Sequence, residues 1–110
     1  MSSVDSLRKK FDRLSAGIRS LRVMYASNLH KTWYAPNSYQ ELVQASRYLE
    51  QAERRSSKVP YLLDHGATKM GAKMIHRARE SFTCSHSIMK RLLETEDRFR
   101  LQVTEEIHLS

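Results

Sequence analysis

The residues that could do chemistry crowd most densely into HGATKMGAKMIH, residues 65–76. Gly66, four further residues, Gly71 and a nearby lysine give the outline of a phosphate-binding loop. Such a loop needs its lysine directly after the second glycine and a serine or threonine next, so that an ammonium and a hydroxyl reach phosphate and magnesium. Here Ala72 separates Gly71 from Lys73, and Met74 takes the place of the hydroxyl. Residues 58–64 are the one strand candidate, which leaves no βαβ unit to present a loop. The spacing suits a helix face instead. Ala67, Met70, Gly71, Met74 and Ala78 are expected to form a close-packing face, where small residues admit a second helix backbone and methionines fill gaps.

Cys84 and His86 suggest a thiol–imidazole pair. Two positions apart on a helix they point in nearly opposite directions, so they could not share a proton. Cys84 is expected to be a small buried hydrophobe. The five histidines, at positions 30, 65, 76, 86 and 108, include no i, i+4 pair, and a metal site would need ligands from separate elements. Glu94, Glu96, Asp97, Glu105 and Glu106 read as a solvated face, with Glu94–Arg98 and Glu96–Arg100 as i, i+4 partners. No catalytic residue, cofactor site or metal site is expected.

Basic residues are the stronger signal. Arg8, Lys9, Lys10, Arg13, Arg19 and Arg22 lie on the first helical segment, offset by Asp5 and Asp12. Arg54, Arg55 and Lys58 form a second cluster, and Lys69, Lys73 and Arg77 follow one another at i, i+4, i+8. These groups suit RNA phosphates, an acidic protein or an anionic surface. Zinc-finger spacing, an aromatic β-platform and a KH-type glycine loop are missing, so sequence-specific readout of nucleic acid is not expected. Trp33 and Tyr34, beside Pro36, either plug the end of a helical hairpin or anchor in a partner's pocket.

The elements that must position these residues are helices. Three glycines and two prolines in 110 residues leave few breaks. Val4, Leu7, Phe11, Leu14, Ile18, Leu21 and Tyr25 alternate spacings of three and four, a heptad seam that predicts a helix over about 3–31. Pro36 ends the following break, and Ser38 with Glu41 is a capping box that opens a helix over about 38–55. Its apolar side (Tyr39, Leu42, Val43, Ser46 and Leu49) is thin. Pro60 suits the first turn of a third helix, over about 60–107. ESFTCSHS, residues 80–87, has middling helix propensity and admits a kink or split as readily as a continuous helix.

The expectation is one all-α domain over residues 1–110: a helical hairpin plus a long third helix, with coiled-coil-like packing. Nineteen Lys and Arg against twelve Asp and Glu give a formal charge of +7. Residues 1–59 hold eleven basic and five acidic side chains, net +6, so a polyanion should meet the first half. One cysteine permits no intrachain disulfide. No apolar run approaches the roughly 20 residues of a membrane span, and no secretory signal is expected. The expected setting is intracellular. The Arg- and Ser-rich, acid-poor start fits a mitochondrial address, the alternative being the cytoplasm. A seam longer than the second helix can cover predicts a non-enzymatic adaptor subunit. It would dock amphipathic helices, with Leu7, Phe11, Leu14, Ile18, Leu21 and Tyr25 facing other protein subunits of a larger assembly. The alternative is a basic RNA-binding component of a ribonucleoprotein such as a ribosome.

Overall fold

The computed structural model describes the backbone of residues 3–28 and 38–109, and side chains as far as residue 94. The described residues form the helices α1 (Ser3–Asn28), α2 (Ser38–Ser57), α3 (Val59–Asp64) and α4 (Thr68–Leu109), with turns at Lys58 and at residues 65–67 between the last three. The fold is all-α. Three long helical bodies pack against one another, because α3 is the bent continuation of α2.

The bend has a local cause. Lys58 keeps right-handed helical dihedrals, φ −83° and ψ −15°, and its carbonyl accepts from the Leu62 amide at 3.2 Å. Pro60 has no N–H to offer the preceding turn, so the ladder is interrupted and the axis turns. Ser56 and Ser57 bond back to the carbonyls of Glu53 and Arg54. After six residues α3 stops in a Schellman-type cap. The Ala67 amide donates to the Leu62 carbonyl at 2.8 Å and the Gly66 amide to Leu63 at 3.2 Å, with Gly66 at φ +73°. Glycine takes that left-handed conformation without the penalty a Cβ brings. The third helix therefore does not run unbroken from residue 60. Its break falls at residues 65–67, and α4 passes through 80–87 as continuous helix.

Leu14, Ile18 and Leu21 of α1 are buried, with Leu7, Phe11, Met24 and Tyr25 partly buried against them. Opposite lie Leu42, Ala45, Leu49 and Ala52 of α2, Val59 and Leu63 of α3, and Ile75, Ala78, Ile88, Met89 and Leu92 of α4. The seam expected to face another subunit is thus mostly the chain's own core face. The sequence made α2 look too thin because its contribution is small rather than large. Ala45 and Ala52 bring its backbone close to α4, where Ala78, Ser81 and Ser85 are equally small and equally buried.

Antiparallel pairing of α2 with α4 is marked by Ser85 beside Ala45, Ser81 beside Gln51 and Arg55, and Arg91 3.7 Å from Glu41. Since Glu41 lies in the first turn of α2, the α4 backbone over residues 95–109 continues past the start of that helix. At 1.5 Å per residue this extension is roughly 22 Å. It makes α4 the long dimension of a molecule 66 Å by 22 Å by 17 Å.

Candidate docking surface

The glycines of the phosphate-loop outline have separate structural tasks. Gly66 terminates α3, and Gly71 is buried one turn into α4. A Cβ on Gly71 would stand 2.8 Å from Leu63 Cδ2, so glycine lets the Leu63 side chain seat closely on α4, and a larger residue would have to displace it. Close packing at Gly71 is real, but its partner is Leu63 of the same chain. The five residues expected on one face are also divided. Gly71 and Ala78 are buried, Ala67 and Met74 are half-buried, and Met70 is 59% exposed. The buried face runs through Gly71, Ile75, Ala78, Ser81 and Ser85, one position on from the methionines.

Cys84 is exposed, contrary to its expected burial, because the helix turns Ser81 and Ser85 inward on either side of it. His86 stacks on Phe82 with ring centroids 5.9 Å apart. His76 pairs with Glu80 at 3.0 Å. No three of His, Cys, Asp and Glu gather into a metal-ligand set among the described residues. Trp33 and Tyr34 lie outside the described residues.

The basic residues divide into those the fold uses and those it leaves to solvent. Arg8 bonds Asp64 at 2.6 Å, tying α1 to the end of α3. Arg22 forms a forked pair with Glu53, Nε to Oε2 at 3.2 Å and Nη2 to Oε1, and its guanidinium lies 5.6 Å from the Tyr25 ring centre. The hydrogen bonds that Arg22 donates to Glu53 hold the Arg22 pKa above its ordinary value, outweighing partial desolvation. Arg55 donates to the Arg77 carbonyl at 3.3 Å and to Ser81 Oγ at 2.9 Å, so it too belongs to the fold. Lys9, Lys10, Arg13, Arg19, Arg54 and Lys58 are exposed, with no ion-pair partner among the described residues.

The packing of α2 and α3 on α4 sets Lys58 across a groove from Met70 and Met74, and Arg55 against the Arg77 carbonyl. Basic segments far apart in sequence thus meet on one side of the molecule. Arg54 and Lys58 stand one turn apart before α3, and Lys73 and Arg77 one turn apart on the facing stretch of α4. The groove between the α3 and α4 walls is apolar, about 470 Å³ in volume, and lined by Ser57, Lys58, Tyr61, Leu62, Met70 and Met74. Tyr61 is 65% exposed and Met70 59%, two of the most exposed large apolar side chains described. The His65 ring stacks on Tyr61 at 4.1 Å, with Nδ1 2.8 Å from the Tyr61 carbonyl, and lengthens that wall.

The sequence reading marked Lys58, Met70 and Met74 but missed Tyr61 and Leu62. A signal was present: three consecutive apolar residues, Tyr61-Leu62-Leu63, on one short helix cannot all face one core. Leu63 turns inward, which leaves the other two for the surface. No helix of the described residues is long and apolar enough to cross a membrane. No protein-family model, curated protein or solved structure matches this chain.

Proposed function

We propose that this chain is a non-enzymatic docking subunit of a multi-subunit assembly. The observation that carries the reading is the groove, where Tyr61 and Met70 stay open to solvent while Leu63 and Ile75 beside them are committed to the core. Exposed apolar side chains gathered in one concavity are a mark of an interaction site rather than of chance exposure. The α4 extension, which continues past the start of α2, offers a second lever for assembly. This moves the docking surface from the α1 seam, which the fold consumes, to the α3–α4 side.

The test is co-purification of the tagged chain from its source beside Met70→Asp and Tyr61→Ser variants. Both side chains are exposed, so fold and helix content should survive. A specific set of co-purifying subunits lost with either substitution supports the reading. An unchanged set counts against it.

A second reading, an RNA-binding component of a ribonucleoprotein, draws on the exposed Lys9, Lys10, Arg13 and Arg19 of α1. Phosphate contacts would make binding fall steeply with salt, whereas docking through Tyr61 and Met70 would be much less salt-sensitive.

A further inference from the structure

We infer that the Tyr61–Met70 groove receives an acidic amphipathic helix of a partner protein, an inference that rests on the docking reading above and specifies the chemistry of its partner. Three observations combine. The floor is apolar and adaptable: Leu62, Met70 and Met74 present flexible side chains that repack around an incoming one. The groove is shallow, since Tyr61 and Met70 keep 65% and 59% of their surfaces exposed. A shallow site cannot enclose a small molecule, but it accepts side chains that project from one face of a helix. The rim is cationic: Lys58 lines the groove, Arg54 lies one turn before it, and Lys73 and Arg77 follow Met70 and Met74 by three residues each.

None of these four cations has an acidic partner among the described residues. Three of the acids on these helices are already engaged: Asp64 holds Arg8, Glu53 holds Arg22, and Glu80 holds His76. Glu50, one turn before Arg54, forms no ion pair with it. Apolar anchors in the groove with carboxylates along both flanks would satisfy floor and rim together. A nucleic acid would meet the rim and have no use for the Leu62–Met74 floor. A flat lipid surface would not reach into a concavity.

The test titrates the full chain into a fluorescent synthetic helix of about four turns, with leucines at i, i+3, i+4 and i+7 and glutamates on its flanks. A second peptide carries lysine in place of each glutamate. The acidic peptide should bind, and Met70→Ser should weaken it about tenfold or more, as loss of a buried anchor does. Lys58→Glu with Arg77→Glu should weaken it by at least about tenfold and raise affinity for the lysine peptide. Circular dichroism of each variant checks that the fold is retained. Equal affinity of the unmodified chain for both peptides overturns the inference, as does indifference of the acidic peptide to Met70→Ser. Met70-dependent binding to phosphatidylserine vesicles or to polyuridylate, with no binding of the acidic peptide, overturns it as well. So does a Met70-dependent dimer of the chain itself. The docking reading is judged separately by co-purification: loss of subunits with Met70→Asp upholds it even where the peptides show that the partner is not acidic.

Discussion

The Ser85 hydroxyl donates to the Ala45 carbonyl oxygen at 2.7 Å, across forty residues of sequence and in full burial. The bond joins α2 to α4 where both helices carry their smallest side chains. It explains how a serine-containing stretch stays helical: Ser85 satisfies its hydroxyl on the neighbouring helix, and Ser81 bonds Gln51 at 3.1 Å. Tertiary packing overrides a middling local propensity.

Ser85→Ala is therefore expected to cost about 1 kcal/mol, the net worth of one hydrogen bond, because the interface keeps its shape. Ser85→Leu should cost about 1–3 kcal/mol or more, since a larger side chain must push apart helices already in close contact. Urea denaturation of the wild type and both variants measures these costs. A leucine variant no less stable than the alanine one would mean that the interface is loose.

Gly71 and Leu63 should behave as a coupled pair. In the wild-type background Gly71→Ala gains about 1 kcal/mol of helix propensity, but its Cβ would meet Leu63 Cδ2 at 2.8 Å. Leu63 Cδ2 is the tip of a flexible side chain, so a small shift admits the methyl, and the cost of that shift should offset most of the gain in helix propensity. With Leu63→Ala already present the clash is gone, and Gly71→Ala should stabilise. A thermodynamic cycle with additive effects would show that the contact is absent in solution.

The helical class and the α1 face were legible because each rests on a short-range signal, as Leu14, Ile18 and Leu21 follow a heptad. Residues 56–60, expected to connect two helices, are instead a bend within one helical body, and the chain reverses only at residues 65–67. The α4 face was misread by one position because Met70 and Met74 outweigh Gly71 on any hydrophobicity scale, while Ile75 was passed over. Only the position of Leu63 shows that the smallest residue marks the contact. The stop at Gly66 could have been found, since a glycine after Leu63-Asp64-His65 suits a helix C-terminal cap. The groove could not: Tyr61 meets Met70 only because that cap folds α3 onto α4. The rim was half visible, as two basic clusters whose approach depends on the same turn.

Replacing Leu14 and Ile18 together with Asp tests which side of α1 is the core. Both positions are buried, 5% and 4% exposed, and each charge would cost several kcal/mol to bury. A domain of this size holds about 5–15 kcal/mol in all. The double variant should lose its cooperative unfolding transition and much of its helix signal. Retention of a wild-type melt would return those residues to the role of a surface seam.

The basic residues of α1 should separate in the same way. Arg22→Gln breaks the forked pair with Glu53 and should lower stability by at most about 1 kcal/mol, because both side chains are partly open to solvent. Lys9→Gln with Arg19→Gln should change stability by less than about 0.5 kcal/mol, since both side chains are exposed and neither forms an ion pair or hydrogen bond among the described residues. If polyanions bind α1, the second pair alone should flatten the slope of log affinity against log salt, by somewhat less than one unit for each lost phosphate contact. Equal effects of the two sets on stability would remove the distinction between structural and free cations.

Cys84 gives the simplest check on the register of α4. Ser81 and Ser85 face α2 and are buried, so the intervening helical positions must turn Cys84 outward. A maleimide or a disulfide reagent should therefore modify the native protein at one thiol per chain, without denaturant and as fast as in the urea-unfolded chain to within about tenfold. The modified chain should keep its helix content and unfolding midpoint, because the adduct projects into solvent. A shift of α4 by one residue would exchange these environments, burying Cys84 and exposing one of the serines. In that arrangement the thiol would be protected until urea opens the bundle, and the adduct would destabilise the fold by overpacking. Protection in the native state would overturn the α2–α4 register, and with it the placement of Ser85 against Ala45.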